Sequence, residues 1–357
     1  MYIAVFTILF IFVIIENYNI VPLEKRNFLY FFVGLLFVLH DGLRWDMGTD
    51  FQPYLNHFKF SDTDPYEFEN FEILYQKLVK FSKLLVDSYT FFLLLHAAII
   101  YLLYITALKK YTNYTFLALS FLYVSMIGLL GSNRQLIALA LCFFSLRFIV
   151  EKKWWVFFGL MVLAFGFHKT SIVFLVILFL DRKINNKVLV GSLVVCVLLS
   201  MSSSVMGVFE VVTQKLLPSL FEDKAEAYLY NNDEFNNTVV GTIFGLIRKG
   251  LPIFLLIYIK EKGFENKYFN IIFNISVLAF LAYVLFNNNL QFLVGRLTSY
   301  FSVFECVVYS WFFMMLYKSK VKFAAILLYT VFCIVIFFRS IAIYPEIFIP
   351  YKSVFNQ

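Results

Sequence analysis

The chain has 357 residues, 61% of them hydrophobic and 15% charged, with a formal net charge of +7. That apolar share exceeds the half or so typical of a soluble domain and excludes one, so the chain reads as a polytopic membrane protein. Its positive charge, which would suggest nucleic acid in a soluble protein, here has a topological cause, because basic residues collect in the loops on one face of a membrane.

The 47 phenylalanines and 23 tyrosines suit lipid-facing and interfacial positions and need no chemistry of their own. Cys142, Cys196, Cys306 and Cys333 all sit in apolar segments without ligand-like spacing. Neither a disulfide framework nor a metal site follows from them.

Apolar runs lie near residues 2–15, 28–40, 86–108, 115–130, 136–150, 154–167, 170–180, 188–212, 239–259, 268–286, 292–317 and 323–341. They predict an all-α, polytopic integral membrane protein of about twelve transmembrane segments, some short or broken, forming one domain over residues 1–357. Met1 to Ile15 has no basic start and no small-residue cleavage site, which reads as a retained span.

Alternate connections carry Lys25, Arg26, Lys109, Lys110, Arg147, Lys152, Lys153, Arg182, Lys183, Lys187, Lys260, Lys262, Lys267, Lys318, Lys320 and Lys322. The positive-inside rule makes that face cytoplasmic. The other face then receives both termini and two longer loops, residues 41–85 and 213–238. Within the first loop Phe71, Leu74, Leu78, Phe81 and Leu85 recur at helical spacing, opposite Glu72, Gln76, Lys77, Lys80 and Lys83. This pattern predicts an amphipathic helix lying on the outer leaflet.

Chemistry-bearing residues gather at a few interruptions. The first outer loop opens with Asp41-Gly42-Leu43-Arg44-Trp45-Asp46-Met47-Gly48-Thr49-Asp50-Phe51-Gln52-Pro53-Tyr54. A carboxylate there can serve as general base for a sugar hydroxyl, Arg44 can pair with phosphate or hold a carboxylate, and Trp45 and Tyr54 present faces for stacking on sugars. Gly131-Ser132-Asn133-Arg134-Gln135 then separates two apolar arms. A helix starting near Gln135 aims its free amides at whatever Arg134 binds, and an anion is the natural ligand. The alternative is Arg134 snorkelling to lipid headgroups.

At Phe167-His168-Lys169-Thr170-Ser171 the flanking arms, 154–167 and 170–180, are each too short to cross. A single tilted span through both would put Glu151-Lys152-Lys153 and Asp181-Arg182-Lys183 on opposite faces, against the positive-inside rule. Two arms meeting inside the membrane at His168 are therefore expected, with Thr170 or Ser171 capping the second. His168 there can titrate or donate to a substrate oxygen. Further on, Arg248-Lys249 falls midway along an apolar run and is expected to face the bundle interior. Arg296, with Tyr300 one turn on, begins a later segment, and Arg339 ends the last one as a headgroup anchor.

Arg44 with Gly48-Thr49-Asp50 and Tyr54, Gly131 with Arg134-Gln135 before an apolar helix, and Lys152-Lys153-Trp154 and Ala164 leading to His168 and Ser171 resemble the EpsG-like family of Wzy-type polysaccharide polymerases, over about residues 30–180. In such proteins a His commonly precedes a Ser, whereas here Lys169 and Thr170 stand between His168 and Ser171. The resemblance implies a fold similar to C-type membrane glycosyltransferases, in a bacterial inner membrane with the active site facing the periplasm. It implies polymerisation of O-antigen or capsular polysaccharide, the growing glycan leaving undecaprenyl diphosphate for the non-reducing end of an incoming lipid-linked unit.

On that reading Arg134, Arg248 and Arg296, assisted by Lys169, bind the departing diphosphate. The base is either Asp50 or His168, with Asp46 in reserve. Arg44, Trp45, Tyr54, Gln135, Ser171 and Tyr300 hold substrate. No cofactor or metal is required. The implied partners are the undecaprenyl-diphosphate-linked oligosaccharide, the bilayer, and a chain-length regulator and flippase of the same pathway, without nucleic acid. Three alternatives stay open: a flippase or exporter of lipid-linked oligosaccharide, an O-antigen ligase, and a membrane O-acetyltransferase.

Overall fold

The computed structural model describes residues 1–62, 71–201, 239–286, 291–317, 321–342 and 344–356. The expected outer loop at 213–238 lies outside them. Among the described residues every regular element is helical, and the one β contact is an isolated antiparallel bridge between Arg44 and Ser353. Backbone amides in hydrocarbon must be paired within their own segment, which is why so apolar a chain folds this way.

In chain order the helices are α1 (Tyr2–Asn17), α2 (Asn27–Gly42), α3 (Phe51–Phe60), α4 (Ile73–Leu85), α5 (Tyr89–Tyr111), α6 (Thr115–Met126), α7 (Asn133–Val150), α8 (Trp154–Phe167), a 3-10 helix Lys169–Phe179, α9 (Asn186–Ser200), α10 (Val239–Glu261), α11 (Phe269–Phe286), α12 (Gln291–Ser302), α13 (Glu305–Tyr317) and α14 (Lys322–Ser340). Five of them, α5, α7, α10, α11 and α14, are long and apolar enough to cross a membrane, and α12 with α13 makes a sixth if their 42° bend counts as one broken span. The other apolar helices fall short of the roughly 20 residues of a full crossing. Twelve crossings would require those shorter helices to cross as well.

Two helices form the centre. α6 is buried along most of its length, with α1, α13 and α14 packed around it, and α7 is enclosed by α5, α8, α12 and the 3-10 helix. Helices apolar on every side belong in such positions. The free amides at the start of α6 are satisfied by a carboxylate from α1, with Phe116 N–H at 3.2 Å and Leu117 N–H at 3.1 Å from the Glu16 oxygens. Arg26, expected among the loop cations of the cytoplasmic face, is instead 4% exposed and pairs with Glu16 at 3.4 Å.

The expected amphipathic helix is present as α4, and it also has a face turned into the protein. Tyr75, Val79 and Ser82 are buried, whereas Phe81 and Leu85 are exposed. Tyr75 is drawn inward by an aromatic cluster of Tyr54, His57, Phe71 and Phe92, its ring 5.3 Å from Tyr54 and 5.7 Å from Phe92. Ring packing of this kind fixes the inner face and leaves Phe81 and Leu85 outward, where the expected leaflet contact requires them.

Candidate functional site

The two interruptions and the first outer loop come together at one end of α7. Gly48 and Gly131 have φ of 97° and 103°, and their backbones lie against each other. A Cβ on Gly131 would stand 2.8 Å from the Gly48 Cα, and one on Gly48 would run into the Leu130 carbonyl. Only glycine allows both the backbone angle and the approach. α7 starts at Asn133, two residues before the expected position.

Arg44 lies beneath this junction and is 1% exposed. Its Nη2 donates to Asn133 Oδ1 at 2.8 Å and its Nη1 to the Asp41 carbonyl at 2.5 Å. His96 Nε2 stands 2.8 Å from the Asn133 carbonyl oxygen. Arg44 thus fixes the residue next to Arg134 and presents no open face. A small cavity lined by Asp41, Arg44, His96, Tyr101 and Tyr123 adjoins it, with room for about one water.

Arg134 itself reaches a residue that sequence patterning placed on the polar face of α4. Its Nη1 donates to Glu72 Oε2 at 2.6 Å and its Nε to Tyr54 Oη at 3.1 Å, while its guanidinium lies 4.4 Å over the Phe71 ring. The other Glu72 oxygen, Oε1, is 2.9 Å from His168 Nδ1 and accepts from the Lys169 backbone N–H at 3.1 Å. The expected break is found there, because His168 is extended (φ −158°, ψ 115°) between α8 and the 3-10 helix. Thr170 and Ser171 make no capping bond.

Glu72 precedes α4 and lies outside the spanning helices. Burial alone would raise its carboxyl; the hydrogen bond from His168 and the charge of Arg134 outweigh it and bring the value to about 2. His57, stacked 4.5 Å from Phe71, moves down to about 4 through burial first and then the charges of Arg134 and Lys80.

α12 closes the group from the other side. Gln135 Nε2 donates to the Arg296 carbonyl at 3.1 Å and to Ser299 Oγ at 3.0 Å. Tyr300, fully buried, shares a hydrogen bond of 3.1 Å with Thr170. Ser171 is buried, and its hydroxyl has no partner among the described residues. Trp45 is half-buried, its ring 5.5 Å from Phe51 and 6.5 Å from Tyr89, and Tyr54 is 3% exposed. Asp46 faces solvent, 3.5 Å from Lys352 Nζ, and Asp50 stands one turn before Tyr54 at the start of α3.

Arg248 and Lys249 belong to a different group. Lys249 Nζ contacts Ser302 Oγ at 2.5 Å and Glu305 Oε1 at 3.3 Å. Arg248 lies nearer Arg339 and Tyr283. Among the described residues no cluster of three or more His, Cys, Asp or Glu side chains could hold a metal ion.

Arg134, Gln135 and His168, from two of the motifs that suggested a family, gather at one place, while Lys152-Lys153-Trp154 lie at the other end of α8. A family model for the EpsG family matches residues 27–353. The chain belongs to the EpsG family. The match reaches well past residue 180, so the C-terminal half of this EpsG-family chain, which brings in α12, is part of the likeness. EpsG-like proteins are similar to Wzy-type polymerases. No curated protein and no solved structure matches the chain.

Proposed function

We propose that this EpsG-family chain is a membrane glycosyltransferase that polymerises a surface polysaccharide, O-antigen or capsule. It acts on the outer face of a bacterial inner membrane, where the short helices complete about twelve segments around a periplasmic cavity. A glycan carried on undecaprenyl diphosphate is transferred to the non-reducing end of an incoming lipid-linked unit. The observation that carries this reading is the meeting of Arg134 and His168, from two separate interruptions, on the one carboxylate of Glu72.

Glu72 accepts from His168 Nδ1–H and so directs the opposite ring nitrogen, Nε2, toward an acceptor hydroxyl. His168 takes the hydroxyl proton as the oxygen attacks the anomeric carbon. The new glycosidic C–O bond forms as the bond from that carbon to the diphosphate oxygen breaks, its electron pair leaving with the diphosphate. Arg134, Lys169 and Arg296 stabilise the charge that develops there. Asp50 is the second candidate base. Arg44 positions Asn133 and Arg134 from below, Gln135 and Tyr300 hold α12 in register with the site, and Trp45 offers its open face to a sugar ring.

The test is a deletion strain complemented with wild type, His168→Gln or Asp50→Asn, followed by electrophoresis of surface polysaccharide. Wild type restores a ladder. His168→Gln leaves a single repeat unit on the lipid core. Absence of any attached sugar in the deletion strain would point to a ligase or flippase, and an unchanged ladder would overturn the proposal.

A further inference from the structure

A second cationic group lies on the far side of α12, away from Arg134. Arg248 and Lys249 are adjacent in the middle of α10 and diverge around the helix. Lys249 turns toward the bend between α12 and α13, where it meets Ser302 and Glu305. Arg248 has its Nε enclosed without a partner among the described residues. Arg339, in the last turn of α14, lies 5.9 Å over the ring of Phe244, which is one turn before Arg248 on α10. Tyr283 of α11 is pressed against α10 at Gly245, where a Cβ would collide with its hydroxyl. Among the described residues the ion pair of this group is that of Lys249 with Glu305, and no carboxylate is paired with Arg248 or Arg339.

The surroundings make this group different from a buried ion pair. α10 and α14 both pack on α13 and scarcely touch each other. Ile243, Phe244 and Ile247 on α10 and Ile334, Val335 and Phe338 on α14 are exposed and apolar. Arg248 lies nine residues into α10, a rise of roughly 14 Å from its outer end. Arg248 thus lies at membrane depth beside Arg339, with exposed apolar side chains on both of their helices. A guanidinium at that depth without an anion is costly. A ligand that satisfies it must carry phosphate on a hydrocarbon chain.

We propose that Arg248 and Arg339, backed by Lys249, bind the diphosphate of the polyprenyl-linked acceptor, as a site separate from the donor's at Arg134. This rests on the reading of the chain as a polymerase that joins two lipid-linked molecules. The transferred glycan must reach the far end of the acceptor's oligosaccharide, so the two diphosphates stand an oligosaccharide apart and cannot share one set of cations. α12 lies between the groups, its Ser299 and Tyr300 turned to the first and its Ser302 to the second.

The test counts binding events for farnesyl diphosphate on the full chain in phosphatidylcholine nanodiscs, by calorimetry and native mass spectrometry. Wild type should bind two, the double variant R248Q/R339Q one, and Arg134→Gln the other one. Arg339→Gln alone, at a half-exposed position that the fold tolerates, should weaken one of the two events about tenfold. Two unchanged events in R248Q/R339Q, or a single wild-type event abolished by Arg134→Gln alone, overturn the site. A single event lost in R248Q/R339Q and kept in Arg134→Gln supports this site while overturning the donor assignment. Adding phosphatidylglycerol to the disc should leave both events. Loss of the Arg248 event to that lipid would make this group a general headgroup anchor and overturn the acceptor assignment.

Discussion

Glu72 and His168, 96 residues apart in sequence, meet at 2.9 Å between the start of α4 and the break after α8. The same carboxylate holds Arg134 at 2.6 Å. One acidic side chain therefore fixes both an imidazole and a guanidinium at one end of the bundle.

If His168 is the base and Glu72 its positioning residue, the two substitutions differ in kind. His168→Gln should lower kcat by about 10²- to 10⁴-fold, as expected for loss of a general base. Glu72→Gln keeps the shape but removes the charge, so it should lower kcat less and shift the acid limb of the pH–rate profile. In vitro extension of lipid-linked repeat units, measured across pH, separates them. An identical profile for Glu72→Gln and wild type would remove Glu72 from the mechanism.

Stability should follow the Glu72 carboxyl. Its folded value of about 2 lies below the ordinary 4.5, so the unfolded chain binds more protons across that interval. The contribution, about 3 kcal/mol, is complete above pH 4.5 and fades as the pH falls toward 2. Thermal unfolding in detergent should show wild type more stable than Glu72→Gln at neutral pH, with the difference shrinking only below that value.

Gly131→Ala should destabilise the chain by about 1–3 kcal/mol, since it adds a strained backbone angle to a collision with Gly48. Gly159→Ala is the matched control, on α8 with nothing within 4 Å of the added methyl. It should be neutral or slightly stabilising, by roughly 0.5–1 kcal/mol from helix propensity. Equal unfolding temperatures for the two variants would contradict the backbone contact.

Arg44→Lys should behave as a loss of geometry. Lysine keeps the charge but cannot reach the Asp41 carbonyl and Asn133 Oδ1 from one planar fork. Expression and membrane insertion should persist while polymer length on a gel collapses. Full-length ladders from Arg44→Lys would show that charge alone suffices at this position.

Much of the site could be read from the chain because polar residues stand out against an apolar background. Gly131, Arg134 and His168 each interrupt a hydrophobic run, and membrane depth gives such interruptions a meaning. Glu72 was hidden for the opposite reason, since an acidic residue among Lys77, Lys80 and Lys83 looks like an ordinary solvated face. The inner face of α4 was not legible, because Tyr75 sorts with buried rings only once Tyr54 and Phe92 are beside it. Arg26 reads as a loop cation and Arg44 as a ligand for substrate, yet Arg26 pairs with Glu16 of the preceding helix and Arg44 with Asn133, 89 residues on. The pairing of Lys249 with Glu305 spans 56 residues and has no local signature.

The 42° bend between α12 and α13 has a mechanical consequence. α12 bonds the Arg134 side through Ser299 and Tyr300, and its last residue, Ser302, bonds Lys249. Ser299, Tyr300 and Ser302 all lie on the α12 side of the bend, so a rigid displacement of α12 strains both sets of bonds. The helix is a strut common to the Arg134 and Lys249 groups, and whatever shifts it is felt by both.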